Sequence, residues 1–211
     1  MRKGFFISFE GGDGSGKTTQ IRLLKEYIAG RGVDVVTVRE PGGVPVSEKI
    51  REIILDSRNT DMDNITEMLL YAASRAQLVS QVIIPALNYG KCVICDRFVD
   101  SSYVYQGIAR GLGIDMIKTV NDIATRKLVP DITFFIDVEP ENALKRRLNT
   151  TEPDRLERED ISFHLRVYQG YIKIAEMYPD RIKRIDGSLK EEEVFLQIKR
   201  HIDHLFCRYK Y

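Results

Sequence analysis

Three cysteines in 211 residues are too few for a disulfide framework, and a reducing cytoplasm is the expected compartment. Charge of either sign is not in excess: 32 Lys+Arg stand against 31 Asp+Glu, a net charge of +1. There is thus no overall basic field to suggest nucleic acid or a membrane surface as partner. No segment approaches the roughly 20 apolar residues of a membrane span. The early apolar run is interrupted by Ser8 and stops at Glu10, which is too short for a signal-peptide core. Cys92 and Cys95 form a C-x-x-C without a second pair. In a strand of period two, residues three apart face opposite sides, so a buried-core role is expected rather than a metal site. His201 and His204 lack a third ligand and read as a solvated helix face. With no repeat, low-complexity tract or linker, residues 1–211 are expected to form one domain, and 43% hydrophobic content suffices for its core.

What is present begins with Gly11, Gly12, Asp13, Gly14, Ser15, Gly16, Lys17, Thr18 and Thr19, between the apolar run 5–9 and a helical pattern at 20–29. Gly11, Gly16, Lys17 and Thr18 satisfy G-x-x-x-x-G-K-[ST], a match expected by chance in such a chain on the order of one per cent of the time. The glycines let backbone N–H groups face inward, and the helix N-terminus adds partial positive charge, so the loop suits the β-phosphate of a nucleoside triphosphate. Lys17 would reach the β- and γ-phosphates, and the Thr18 hydroxyl would take one position on an octahedral Mg²⁺.

Five apolar runs read as strands, at 5–9, 33–38, 92–95, 132–138 and 181–185, with helical patterns between them. That alternation predicts an α/β fold, a parallel sheet covered by helices on both faces with ligands at the carboxyl ends of the strands. Arg39-Glu40-Pro41-Gly42-Gly43 follows the second strand and reads equally as a plain turn or as the border of a second substrate site. Helical periodicity at 46–56 presents Arg51. The long helix expected at 65–87 puts Tyr71 and Arg75 on one side, either as packing plus an ion pair or as a ring and a guanidinium reading a base. Its apolar face, which includes Ile65, Leu69 and Ala73, is wide enough to bury a second side against a partner, and Pro85 falls near its end.

Asp96-Arg97 ends the third strand, where the carboxylate could hold Mg²⁺ and the guanidinium could offset phosphate charge. Ser102, Tyr105 and Gln106 then fall on one helical face. Asp137 ends the fourth strand and ranks below Asp96 as a magnesium carboxylate, because no arginine accompanies it. Residues 149–155 form a polar excursion flanked by Lys145, Arg146, Arg147, Arg155 and Arg158, which is either a lid or a solvated charged face. Long amphipathic helices are expected at 158–178 and 189–206, and the turn at 184–188 between them could border an adenine.

Taken together, Phe9 through Gln20, Arg39-Glu40-Pro41-Gly42-Gly43, Tyr71 through Gln77 and Asp96-Arg97-Phe98 through Gly107 resemble bacterial thymidylate kinases over nearly the whole chain. The resemblance implies a P-loop nucleoside-monophosphate kinase fold with a five-stranded parallel sheet, a short lid near 145–158, and a homodimer. The implied reaction is ATP + dTMP giving ADP + dTDP, a step toward dTTP. By position, the resemblance gives Lys17 and the loop amides to the ATP phosphates, Asp13 to the deoxyribose 3′-hydroxyl, Asp96 to the magnesium side and Arg97 to the bridge between phosphates. Tyr71 would stack on thymine, Arg75 would donate to the base edge, Ser102 and Gln106 would approach the base, Tyr105 would crowd the ribose 2′ position, and Arg39 and Arg51 would line the pocket. Departures are Tyr71 where Phe is common, Val44 where Thr often follows Pro-Gly-Gly, and Leu148 and Thr150 where lid arginines are usual. Arg155, or else Arg147, is then expected to close over the transferred group. A deoxynucleoside kinase would need a general base, and no carboxylate after the second strand is clearly placed for that job, since Glu40, the only candidate, sits in the Pro-Gly-Gly loop; the absence of N-K-x-D speaks against a GTPase.

Overall fold

The computed structural model describes residues 4–147 and 154–209. Five strands, β1 (Phe6–Glu10), β2 (Val35–Arg39), β3 (Cys92–Asp96), β4 (Ile132–Asp137) and β5 (Ile182–Asp186), form one sheet in the order β2-β3-β1-β4-β5. Every pairing is parallel, as the buried apolar runs predict. Phe9 and Arg39 are both in register with Asp96, so the ends of β1, β2 and β3 lie level along one edge.

Side-chain alternation divides the core into two layers. Phe5, Ile7, Phe9, Cys92, Ile94, Phe134 and Ile136 face one side. There they meet Leu24 and Ile28 of α1 (Lys17–Ala29) and Ile198 and Ile202 of α9 (Glu191–Tyr209). Phe6, Val93, Cys95 and Phe135 face the other side, under α3 (Asn64–Leu78), α4 (Ile84–Asn88), α5 (Val99–Ser102) and α8 (Ile161–Met177). Cys92 and Cys95 therefore belong to opposite layers, and burial pushes both thiols well above their ordinary pKa. Among the described residues no cluster of His, Cys, Asp and Glu could hold a metal ion, and no helix is long and apolar enough to cross a membrane.

The remaining helices are α2 (Pro45–Leu55), α6 (Ile114–Thr125) and α7 (Pro140–Arg147). Proline at the first position of α2 sacrifices no helical hydrogen bond, and Asp63 caps α3 by accepting from the backbone N–H groups of Ile65 and Thr66. The helix expected at 65–87 is not uniform: a π-helical turn, Val79–Ile83, separates α3 from α4. Pro85 lacks the N–H that would close the turn, and the chain widens just before it without ending the helix. A second π-helical stretch, Tyr103–Ala109, continues α5. Ile65 and Leu69, expected in the apolar face of α3, are 47% and 52% exposed, whereas Glu67, Ser74 and Arg75 are buried. The tip of the expected lid, 148–153, lies outside the described residues.

Candidate active site

β1 ends in Glu10, and the loop that follows turns back into α1. Gly11, Gly14 and Gly16 have φ of 137°, 81° and 99°, the left-handed region that β-carbons disfavour. At Gly11 a β-carbon would lie 2.7 Å from the Ile136 carbonyl oxygen, so only glycine fits. Lys17 is buried and donates to the carbonyl oxygens of Gly11 and Gly12 at 3.0 and 2.9 Å. That leaves the third N–H of its ammonium for a ligand. Burial, then the nearby Arg97 charge, lower its pKa. The Ser15 hydroxyl is buried without a partner. One cavity is lined by the loop residues Asp13, Gly14, Gly16, Lys17, Thr18 and Thr19 together with Arg39, Glu40, Arg51, Asp96, Arg97 and Arg146.

A second cavity lies beside it, walled by Tyr71, Arg75, Ser102, Tyr105, Gln106, Leu156, Glu157 and His164 among others. Asp13, Glu40, Arg51 and Arg97 line both. Arg97 sits at the common wall with φ 67°, an unusual conformation for a non-glycine residue. Its guanidinium donates to Asp13 at 2.8 Å and to the Tyr171 hydroxyl at 3.0 Å, and lies 5.5 Å from the Tyr105 ring centre. Glu10 holds this turn in place: its carboxyl accepts from the Phe98 backbone N–H, the Ser101 hydroxyl and the Tyr171 hydroxyl at 2.7, 2.6 and 3.0 Å. Burial and the Asp100 charge push Glu10 up to about 7.

The base-reading candidates are as closely held. Arg75 is 1% exposed. It donates to Glu40 at 2.6 Å, the Ser102 hydroxyl at 2.9 Å and the Phe98 carbonyl at 3.1 Å, and also to Asn121. Of its five N–H groups one remains, on the nitrogen that meets Phe98. The Pro-Gly-Gly loop is clamped to α3, with the Gly42 N–H donating to Ser74 Oγ at 3.2 Å and Ser47 Oγ donating to the Ser74 carbonyl at 2.8 Å. Arg39 and Arg51 both donate to the Pro41 carbonyl, at 2.8 and 2.9 Å. This loop thus forms a wall of both cavities and is more than a chain reversal.

A P-loop beside a second, aromatic-walled cavity with shared cations is the arrangement of a kinase with a small acceptor. The family model described as Thymidylate kinase matches residues 9–198. The chain belongs to the thymidylate kinase family. It is 57% identical over 185 residues to the thymidylate kinase of Thermoanaerobacter sp. (strain X514), covering 88% of this chain and 90% of that one. It is 50% identical over 199 residues to the thymidylate kinase of Lactobacillus acidophilus, covering 93% and 92% of the two chains. The crystal structure of thymidylate kinase from Ehrlichia chaffeensis superposes with a TM-score of 0.77 at 36% identity, covering 95% and 99%.

For this thymidylate kinase family member, the residues expected at the site converge with one exception. Arg155 does not reach the phosphate loop. It is buried, donating to the Ile54 carbonyl at 2.8 Å and to Glu67 at 2.6 Å, because its backbone N–H is already tied to the Leu55 carbonyl at the end of α2. Among the described side chains before the expected lid, Arg146 lines the phosphate cavity, and it also donates to the Gly187 carbonyl at 3.1 Å. The side chain of Arg147 lies outside the described residues. Asp137 does have an arginine: Arg184, from the neighbouring strand, donates to it at 2.5 Å, and Asp137 lines neither cavity. Tyr171, Ser101, His164 and Glu67 were not legible as site residues. Each sits in a helix whose pattern gives no sign of which turn faces the sheet edge. Glu10 carried a signal, an acid ending an otherwise apolar strand immediately before a P-loop.

Proposed function

We propose that this thymidylate kinase family member transfers the γ-phosphoryl group of ATP to the 5′-phosphate of dTMP, giving ADP and dTDP for dTTP synthesis. The observation that carries the reading is the wall of Asp13, Glu40, Arg51 and Arg97 shared by the phosphate-loop cavity and the aromatic-walled cavity. Donor and acceptor phosphates meeting at that wall would be held in line by groups already fixed, which is most of what phosphoryl transfer asks of a protein.

The triphosphate fits the loop: inward N–H groups, a buried Ser15 hydroxyl without a partner and the remaining N–H of Lys17 are donors without acceptors. Mg²⁺ fits as well. Asp96 Oδ1 is buried without a partner beside Thr18 in the same cavity, an all-oxygen set of few protein ligands, as Mg²⁺ with several waters prefers. When bound, the ion would neutralise charge on the β- and γ-oxygens. Lys17 holds the donor phosphates, and Arg97, braced by Asp13, Tyr171 and the Glu10 carboxyl behind them, offsets charge on the oxygen that bridges donor and acceptor. Arg39 and Arg51 steady the acceptor phosphate, and Asp13 accepts from the sugar 3′-hydroxyl. Tyr71 stacks on thymine, Arg75 offers its last N–H to the base, Ser102 and Gln106 complete the base wall, and the Tyr105 ring fills the ribose 2′ position. Arg155 supports the acceptor cavity from behind through Glu67.

Transfer to a nucleoside 5′-hydroxyl is not favoured, because the family model and the relatives that match the chain over most of its length are thymidylate kinases. Incubation with ATP and either dTMP or thymidine tests the reading, with dTDP formed from the first and nothing from the second; phosphorylation of thymidine alone would overturn it. Ile65 and Leu69 on α3, with Met116 and Ile123 on the adjacent α6, leave large apolar side chains exposed and support a homodimer through this face. The free cysteines support a cytoplasmic location.

A further inference from the structure

Glu67 lies in the first turn of α3, one turn before Tyr71 and two before Arg75, and is fully buried. Its carboxylate gathers donors from three residues. Gln106 Nε2 donates at 2.8 Å, Arg110 at 3.4 and 3.2 Å through two nitrogens, and Arg155 at 2.6 Å. Burial alone would raise its pKa, but the Gln106 hydrogen bond and the two guanidinium charges outweigh that and hold the group below its ordinary value, ionised. Arg110 is itself held by Glu159 at 2.6 Å, and Arg155 by the Ile54 carbonyl, so the carboxylate has little freedom to move.

An ionised carboxylate only accepts. The Gln106 amide must therefore turn its NH₂ toward Glu67, because the reverse orientation would set two oxygens against each other in a buried site. Among the described residues no donor reaches Gln106 Oε1, and that oxygen is not among the buried atoms left without a partner, so it opens on the cavity that Gln106 lines. The second hydrogen of Nε2 stands beside it. Oxygen and N–H side by side complement the N3–H and a ring carbonyl of thymine. Cytosine presents a bare N3 and an amino group there, which would require the amide reversed.

We propose that Glu67 is a positioning residue that locks the Gln106 amide with its oxygen toward the acceptor base, and so makes the site a reader of thymine over cytosine. This rests on the dTMP kinase reading, and its test separates the two. The measurement is kcat/KM for dTMP and dCMP on wild type and Glu67→Gln, whose neutral side chain can face Gln106 with either oxygen or nitrogen. The dTMP-to-dCMP ratio should fall about 10-fold or more in the variant, through KM more than kcat, since the base contact is made equally in the ground and transition states. A purely structural role would lower both substrates in proportion and leave the ratio alone, which would overturn the proposal. A thermal melt checks folding. Glu67→Asp, which keeps the charge for the two arginines but draws the carboxylate back by one methylene, carries the same expectation if Glu67→Gln does not fold. In a Gln106→Met background Glu67→Gln should no longer move the ratio, and a persistent effect there would show that Glu67 acts by another route. A wild-type ratio near one would sink base reading altogether, whereas strong wild-type discrimination unchanged by either Glu67 variant would sink only the role of Glu67.

Discussion

Thermal stability should fall as the pH is raised from about 5 to about 7, and Glu40→Gln should remove roughly half of that fall. Glu10 and Glu40 are both fully buried, and burial pushes each from an ordinary 4.5 up to about 7, partly offset at Glu40 by Arg75. In the unfolded chain these carboxyls ionise near 4.5, so between the two values the folded state binds more protons. Their contribution is whole below the unfolded value and is lost as the pH climbs through 7. A gap of this size is on the order of 3 kcal/mol per group when fully developed, and about 2 kcal/mol of it falls between pH 5 and 7. For a domain of this length that lowers Tm by roughly 4–8 °C per group. Glu40→Gln leaves Arg75 a neutral oxygen to donate to while abolishing the titration. Groups held below their ordinary pKa, such as Glu48 through its Gly43 N–H and Arg39 contacts and Glu67 through Gln106 and its arginines, act in the opposite sense. Their stabilisation is lost as the pH falls below about 4, so stability should peak near pH 5. Scanning calorimetry at half-unit pH intervals checks this. Parallel Tm profiles for wild type and Glu40→Gln from pH 5 to 7 would refute the burial argument.

Lys17→Ala should lower kcat by about 10²-fold or more while the melt stays nearly unchanged, because the ammonium contacts only loop carbonyls and serves charge that develops in transfer; near-normal turnover in steady-state assays would contradict it. Tyr105→Ala should relax rejection of ribothymidine monophosphate more than it harms dTMP, since the ring lines the acceptor cavity beside Asp13, and an unchanged ribo-to-deoxy ratio of kcat/KM would refute that role. Placing a lysine at Leu69 and at Ile123 should convert a dimer to a monomer in light scattering without lowering Tm by more than a few degrees, because both side chains are already exposed; a dimer that survives would relocate the interface.

The sequence by itself determined the sheet, the loop and the family. Buried runs alternating with helical periods can be satisfied only by parallel strands with helices on both faces, and a G-x-x-x-x-G-K-T between strand and helix has one common use. Even the divergence of Cys92 and Cys95 followed from the period of two. Tertiary structure alone decided which polar groups face which. Arg155 stands beside the expected lid in sequence, yet the end of α2 and the acid on α3 draw it inward, and Arg146 lines the phosphate cavity instead. Glu67, hidden in a helix with an exposed apolar flank, became visible only when the chain brought Gln106, Arg110 and Arg155 to it from 39, 43 and 88 residues away. Periodicity reports which side of an element is apolar. The partners of a buried charge are set by packing among elements distant in sequence, where desolvation makes a paired geometry far better than an unpaired one.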